Sequence, residues 1–222
     1  MTSARAALSD GWPIVLTSVV VGLAFGILAR QSGLSPLEAS SASLLVFAGA
    51  AQFAALDLLK NGAGPIAVAV TVALINARHL LMSASIRPLL AREPLWSRLL
   101  LAYVLTDESF AMGIARLRRG YRDVAYYATF AVALYIAWNV ATLAGALFGG
   151  AVADPGRFGV DFAITACFAA IVAIGTRDRV DGAVALLAAA LAVALRLAGA
   201  ASIAVVVAGG LTPLVAVALR PR

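Results

Sequence analysis

The chain has 222 residues, of which 63% are hydrophobic and only 13% charged, and its mean hydropathy is +0.97. Soluble domains are about 45–50% apolar and about 25% charged, so this composition excludes a soluble protein and indicates an integral membrane protein. The single cysteine, Cys167, excludes an internal disulfide framework and a multi-cysteine metal site. The net charge of +6 does not indicate nucleic acid, because the basic residues fall mostly between apolar runs, as they do in membrane-protein loops. No cofactor is expected.

Apolar runs long enough to cross a membrane follow one another along the chain. A spanning helix needs about 20 mostly apolar residues, so the sequence predicts an all-α, polytopic transmembrane bundle of seven or eight spans. The first run is interpreted as a retained helix rather than a cleaved signal peptide, and the seventh is short and interrupted by Arg196. Residues 1–222 are predicted to form one membrane domain. The candidate spans are 13–30, 37–59, 65–86, 96–116, 124–149, 159–176, 182–196 and 200–218.

Local signals mark where the second run begins and breaks. In SGLSPLE, Ser35 is predicted as N-cap, with Pro36 at the first helical position and Glu38 closing a capping box. Further along, the small residues around Gly49 predict a break in the helix, which would free backbone groups for a ligand as discontinuous helices do in transporters.

The loops and the repeated motifs bear on topology. With eight spans, ten Lys and Arg residues lie on the side of both termini and six on the other, which predicts both termini in the cytoplasm and the chain in the inner membrane. GLAFG resembles GALFG further along, which raises the question of a repeat with halves 1–120 and 121–222. Gly64 and Arg78 also match Gly182 and Arg196 at one common offset. In a chain so rich in Ala, Leu and Gly, chance explains such matches equally well.

Three polar groups interrupt the apolar runs. TVALINARHLLMSAS contains Asn76, Arg78 and the sole histidine, His79; YVLTDESF contains an acidic pair; and FAGAAQF contains a glutamine. Ionisable residues inside a membrane usually face partners or water and mark a pathway. Structural alternatives stay open for each group: Arg78 snorkels to lipid phosphates, the acidic pair ends a shorter helix, or the glutamine makes a helix–helix hydrogen bond.

The charges of these groups suggest a zwitterionic ligand. Arg78 contributes one positive charge, Asp107 and Glu108 contribute two negative charges, and neutral His79 contributes none. Buried together, the groups lack one positive charge, which a proton or a substrate ammonium would supply.

The same segments carry a resemblance to a known family. GLAFGILARQSGLSPLEASSASLLVFAGAAQF, INARHLL, LTDESFA, AWNVATLAGALFG and GVDFAITACF occur in the order typical of the AzlC family, the large subunits of bacterial branched-chain amino acid exporters. The resemblance runs from about residue 11 to at least 175. One departure is Met82, where the family often has a tyrosine. The resemblance implies export, driven by the proton motive force, and a small AzlD-like membrane partner.

The sequence-based hypothesis is therefore a secondary transporter that exports branched-chain amino acids. Arg78 would bind the substrate carboxylate, because a guanidinium matches it in a planar, bidentate manner. Asp107 or Glu108 would alternate between the ammonium and a proton, with His79 as a relay. The other predicted substrate contacts are Asn76, Gln52, Phe47 and Phe53.

Two other classes of function compete with this hypothesis. A passive channel needs a polar lining along several helices, whereas the apolar runs here contain only short polar groups. A purely structural subunit would have no need of the acidic pair within an apolar run. A membrane hydrolase needs a nucleophile with a positioned base, and neither G-x-S-x-G nor H-E-x-x-H occurs in the sequence.

Overall fold

The computed structural model describes residues 2–149, 176, 178–199, 207, 208, 211, 212 and 215. Every element among these residues is an α-helix, which confirms the predicted all-α class for the described part of the chain. Most of the predicted spans 159–176 and 200–218 lies outside the described residues. The helices are α1 (Ser3–Gln31), α2 (Pro36–Leu45), α3 (Gly49–Lys60), α4 (Pro65–Asn76), α5 (Arg78–Leu90), α6 (Leu95–Tyr103), α7 (Asp107–Arg118), α8 (Val124–Phe148) and α9 (Arg179–Leu197).

Four helical stretches among the described residues are long and apolar enough to cross a membrane, and they contain 29, 26, 25 and 19 residues. They are Ser3–Gln31, Pro65–Leu90, Val124–Phe148 and Arg179–Leu197. The count of seven or eight spans stays a prediction, and so does the repeat. In the matched glycine pair, Gly64 is the N-cap of α4 whereas Gly182 lies inside α9.

The long helices α1 and α8 pack against each other at backbone distance. A Cβ atom on Gly26 would overlap the carbonyl oxygen of Thr142, and one on Gly145 would overlap that of Leu23. Only glycine permits so close an approach, as small residues do at helix interfaces in membranes. Helix packing therefore accounts for the small residues of GLAFG and GALFG.

Two clusters of buried apolar side chains hold the other helices around α8. One joins α1 and α3 to α8 through Phe25, Phe53 and Trp138, in which Phe53 packs edge to face on Phe25 with 5.6 Å between ring centroids. The other joins α5 and residues 101–105 to Tyr127 of α8. The segments between these helices are thereby fixed against the middle and the start of α8.

Three of the predicted spans are each divided into two helices. The break predicted near Gly49 is confirmed, since α2 ends at Leu45 and α3 begins at Gly49. The run 65–86 is irregular at Ala77, which separates α4 from α5 but keeps right-handed helical dihedrals, so Pro65–Leu90 remains one helical stretch. The run 96–116 is interrupted at 104–106. Neither of these two breaks was predicted.

The seventh predicted run, in contrast, is a continuous helix where an interruption was expected. Arg196 does not interrupt it, because α9 continues from Arg179 to Leu197 and Arg196 lies in its last turn. A positive charge there is favourable, since the C-terminal end of a helix carries partial negative charge.

Candidate functional site

The three helix breaks place polar side chains within otherwise apolar runs. Each break leaves carbonyl groups at the end of one helix and N–H groups at the start of the next without partners inside a helix. Within a membrane such groups are tolerated only where they are buried in protein or line a cavity. The side chains that satisfy these groups therefore define the site.

Arg78 and Asp107 join two of the breaks. The guanidinium Nη1 of Arg78, the first residue of α5, lies 2.8 Å from the carboxylate Oδ2 of Asp107, the first residue of α7. The relative solvent-accessible areas of the two side chains are 33% and 47%. The ion pair therefore lies at an accessible surface of the chain rather than in its core. The structure brings these two predicted site residues together.

The position of Asp107 follows from local capping chemistry. Thr106 is the N-cap of α7 and forms a capping box with Ser109, in which the backbone N–H of Ser109 donates to the Thr106 hydroxyl oxygen and the backbone N–H of Thr106 donates to that of Ser109. Acidic residues are stabilised in the first turn of a helix by its partial positive charge. Asp107 and Glu108 therefore start a helix, instead of lying within or ending one.

Glu108 takes no part in the ion pair. It follows Asp107 in the first turn of α7 but is exposed. The charges of Arg78 and Asp107 therefore cancel without Glu108. The missing positive charge that the sequence predicted would arise only if Glu108 were buried beside this pair.

Asn76 and His79, the polar neighbours of Arg78 in the chain, lie on either side of Ala77. Nδ1 of His79 lies 3.1 Å from the backbone carbonyl of Asn76, the last residue of α4. Because a carbonyl only accepts, the tautomer with a proton on Nδ1 makes this bond and satisfies one carbonyl at the helix end. The side-chain Oδ1 of Asn76 and the Nε of Arg78 are buried without a hydrogen-bond partner among the described residues.

Two tyrosines, which the sequence analysis did not single out, satisfy the end of α2. The hydroxyl groups of Tyr103 and Tyr135 both donate to the carbonyl of Leu44, the second over 3.3 Å. The Phe47 ring, inside the break, packs edge to face on Tyr135 with 4.9 Å between centroids. Tyr103 is the last residue of α6, so it connects the first break to the one that precedes Asp107. No sequence signal beyond a hydroxyl in an apolar run marks these tyrosines.

The other predicted substrate contacts are Gln52, Phe47 and Phe53, and all three side chains are buried. Gln52 is 4% exposed, and both polar atoms of its amide are without a hydrogen-bond partner among the described residues. It lies one turn into α3, whose first residue, Gly49, lies against the Trp138 ring. Phe53 is instead part of the core that includes Phe25. Phe47 lies in the break between α2 and α3, but it is 7% exposed and belongs to the same buried cluster as Phe53.

Interrupted helices with polar side chains at the breaks, in a chain that is otherwise apolar, define a polytopic α-helical membrane protein. The family described as "AzlC protein" matches residues 13–152, which include all three breaks. The chain belongs to the AzlC family.

Curated relatives agree with this assignment. The chain is 34% identical over 143 residues to the inner membrane protein YgaZ of Escherichia coli (strain K12), covering 63% of this chain and 58% of the relative. It is 35% identical over 147 residues to an uncharacterized membrane protein of Archaeoglobus fulgidus, covering 65% and 62%. It is 27% identical over 168 residues to the branched-chain amino acid transport protein AzlC of Bacillus subtilis (strain 168), covering 75% and 65%.

The matched region spans less than two thirds of the length of each of these relatives. No solved structure matches the chain.

Proposed function

We propose that the protein is a secondary transporter that exports branched-chain amino acids across the inner membrane in exchange for protons, together with a small AzlD-like membrane subunit. The observation that carries the proposal is the ion pair between Arg78 and Asp107 at two helix breaks. Membership of the AzlC family supports it, as does a relative that is named for branched-chain amino acid transport.

The ion pair has the charges that a zwitterion needs. An amino acid that enters between the two side chains would place its carboxylate on the Arg78 guanidinium and its ammonium on the Asp107 carboxylate. Each charged group would exchange one ionic partner for another, so no charge would be left unpaired at membrane depth, where unpaired charge is costly. Gln52 and Asn76, which have buried polar atoms without partners, would supply further hydrogen bonds. Phe47 would contact the aliphatic side chain.

The same carboxylate provides a route to proton coupling. A proton and a substrate ammonium neutralise the same charge, so Asp107 cannot hold both at once. Release of a proton from Asp107 to the cytoplasm would free the carboxylate to bind the next substrate from the same side. A proton that binds from outside would then displace the substrate to the exterior. Glu108, adjacent and exposed, and His79, whose imidazole can take up and release a proton, are the neighbouring groups that would pass the proton.

Leucine efflux from loaded proteoliposomes tests the proposal. The chain is reconstituted with and without the AzlD-like subunit, and Arg78→Ala is compared with Arg87→Ala, which removes an exposed arginine from the same helix. We expect efflux to be lost in Arg78→Ala and kept in Arg87→Ala. Equal efflux of leucine, isoleucine and valine by Arg78→Ala and the parent would place the substrate site elsewhere.

A further inference from the structure

A polar cavity lies at the C-terminal end of α7, the helix whose first residue is Asp107. It has a volume of about 350 Å³ and lies among α1, α7 and α8. Neither the ion pair nor the helix breaks contribute to it. Its lining residues are Asp10, Met112, Ala115, Arg116, Arg119 and Tyr126.

One wall of the cavity is fixed by interactions of Arg116. Its Nη2 lies 3.3 Å from the Asp123 carboxylate, and its guanidinium carbon lies 4.5 Å from the ring centroid of Tyr126 and 5.1 Å from that of Tyr121. The Tyr126 hydroxyl in turn donates to the Asp10 carboxylate over 2.9 Å. Both acidic groups near the cavity are thus already engaged.

The remaining charges beside the cavity are positive. Arg118, Arg119 and Arg122 are exposed and have no ion-pair partner within the described part of the chain. Arg119 lines the cavity itself. Arg116, Arg118, Arg119 and Arg122 outnumber Asp10 and Asp123 by two charges, so the surroundings of the cavity carry a net positive charge, which favours an anion.

Two observations place this cavity at the depth of lipid headgroups. Trp12, close to Asp10 in the chain, is 61% exposed, and Tyr121 is 57% exposed. Exposed Trp and Tyr side chains concentrate where a membrane meets water. Met112 and Ala115 add an apolar wall beside the arginines, which suits an amphiphile better than a free ion.

We propose that this cavity binds the phosphate-bearing headgroup of an anionic phospholipid. Arg119 donates to the phosphate, Arg116 supplies positive charge from the fixed wall, and Met112 and Ala115 contact the glycerol region. Basic pockets between transmembrane helices recognise such headgroups by this combination of charge and apolar contact.

Thermal unfolding of the detergent-purified chain with added short-chain lipids tests this site without any transport assay. We expect phosphatidylglycerol to raise the unfolding midpoint and phosphatidylcholine to leave it unchanged. Arg119→Gln is expected to need roughly tenfold more phosphatidylglycerol for the same shift, because one charge-assisted hydrogen bond is lost. The matched control is Arg98→Gln, which removes an exposed arginine on α6 and is expected to behave like the parent.

Four results would overturn the proposal. Phosphatidylcholine as effective as phosphatidylglycerol would mean that charge is not recognised. Inorganic phosphate as effective as the lipid would indicate a free-anion site, and an oligoglutamate peptide as effective as the lipid would indicate a protein partner. An unchanged lipid requirement in Arg119→Gln would remove the cavity from the interaction. Because none of these readouts involves leucine, they are independent of the proposed transport function.

Discussion

Arg78 and Asp107 are each the first residue of a helix, and their side chains meet across 2.8 Å to connect two helix breaks. The ion pair therefore combines two roles. It compensates two opposite charges, and it holds the starts of α5 and α7 together.

Removing one partner should cost stability, and removing both should restore part of it. Buried ion pairs typically cost about 3–5 kcal/mol when one partner is removed and exposed pairs about 0–1, so for this partly exposed pair we expect about 1–2 kcal/mol for Arg78→Ala. The double variant Arg78→Ala with Asp107→Asn should be more stable than Arg78→Ala alone. Thermal unfolding in detergent measures both. Additive losses in the double variant would mean that the two residues do not stabilise each other.

The hydroxyl groups of Tyr103 and Tyr135 should be partly redundant, because both donate to the Leu44 carbonyl. Each single Tyr→Phe variant leaves one donor, whereas the double variant leaves a carbonyl without any. Leu44 is 44% exposed, and an intramolecular hydrogen bond contributes about 0.5–1.5 kcal/mol net, so the double variant should lose about that much stability beyond the sum of the single variants.

Unfolding midpoints of the three variants check this expectation, with Tyr121→Phe as the control in an exposed tyrosine outside the breaks. Strictly additive single losses would show that the two hydroxyls act on different acceptors.

The close contact of α1 and α8 predicts a position-specific effect of Gly→Ala. An added methyl group at Gly145 would overlap the Leu23 carbonyl, and overpacking of this kind costs about 1–3 kcal/mol or more. At Gly182, in α9, the nearest atom to an added methyl group is 3.7 Å away on Thr176, which is ordinary contact. Alanine there should be neutral or stabilising, since it is the better helix former by about 1 kcal/mol. A Gly145→Ala midpoint equal to that of Gly182→Ala would contradict the helix contact.

Local chemistry explains which elements the sequence predicted. Ser35 accepts from the backbone N–H of Glu38, while the Glu38 carboxylate accepts from the backbone N–H of Ser35, as the SGLSPLE motif indicates. The break before Gly49 lies next to the small residues 48–51 and was also predicted. Both signals depend only on neighbours in the chain.

The missed breaks depend instead on tertiary contacts. Ala77 is preceded by an apolar run without Gly or Pro, and the change of helix there coincides with Arg78 reaching Asp107 on another helix. The Leu101 carbonyl, near the end of α6, accepts from the Tyr127 hydroxyl of α8 over 3.0 Å. Hydropathy over one window cannot show such pairs, so these two runs looked continuous.

Low pH should weaken the contribution of Asp123 to stability. Burial opposes its ionisation, but the backbone N–H of Tyr126, the Ser3 hydroxyl and the Arg116 guanidinium outweigh that effect and lower its pKa below the ordinary value of 3.8. Because the pKa of Asp123 is lower in the folded state than in the unfolded state, its charge stabilises the fold fully at pH values above the unfolded-state pKa. This contribution is lost as the pH falls through the folded-state pKa. The parent should therefore exceed Asp123→Asn in unfolding midpoint at pH 7, and the difference should shrink below about pH 4.

Asparagine is also a good N-cap, so Asp123→Asn keeps the start of α8 and removes the charge together with the oxygen that accepts from Arg116. A difference in midpoint that stays constant from pH 7 to pH 3 would show that the carboxylate charge is not what stabilises this loop.

The two neighbouring carboxylates should separate substrate binding from proton transfer. Asp107→Asn keeps the side-chain shape and removes the charge that pairs with Arg78, so we expect leucine efflux to fall to the background of empty vesicles. Glu108→Gln leaves the ion pair in place and changes an exposed side chain. It should keep downhill efflux and lose the acceleration by an inward proton gradient, if Glu108 is the group that passes the proton.

Efflux with and without the gradient, at matched protein content, distinguishes three mechanisms. Loss of downhill efflux in Asp107→Asn with normal efflux in Glu108→Gln assigns the ammonium to Asp107, since only that carboxylate faces a guanidinium across 2.8 Å. The reverse pattern would assign the ammonium to Glu108 and leave the ion pair as a structural clasp between α5 and α7. Gradient-driven efflux that persists in both variants would exclude these carboxylates as proton carriers, because neither amide titrates near neutral pH.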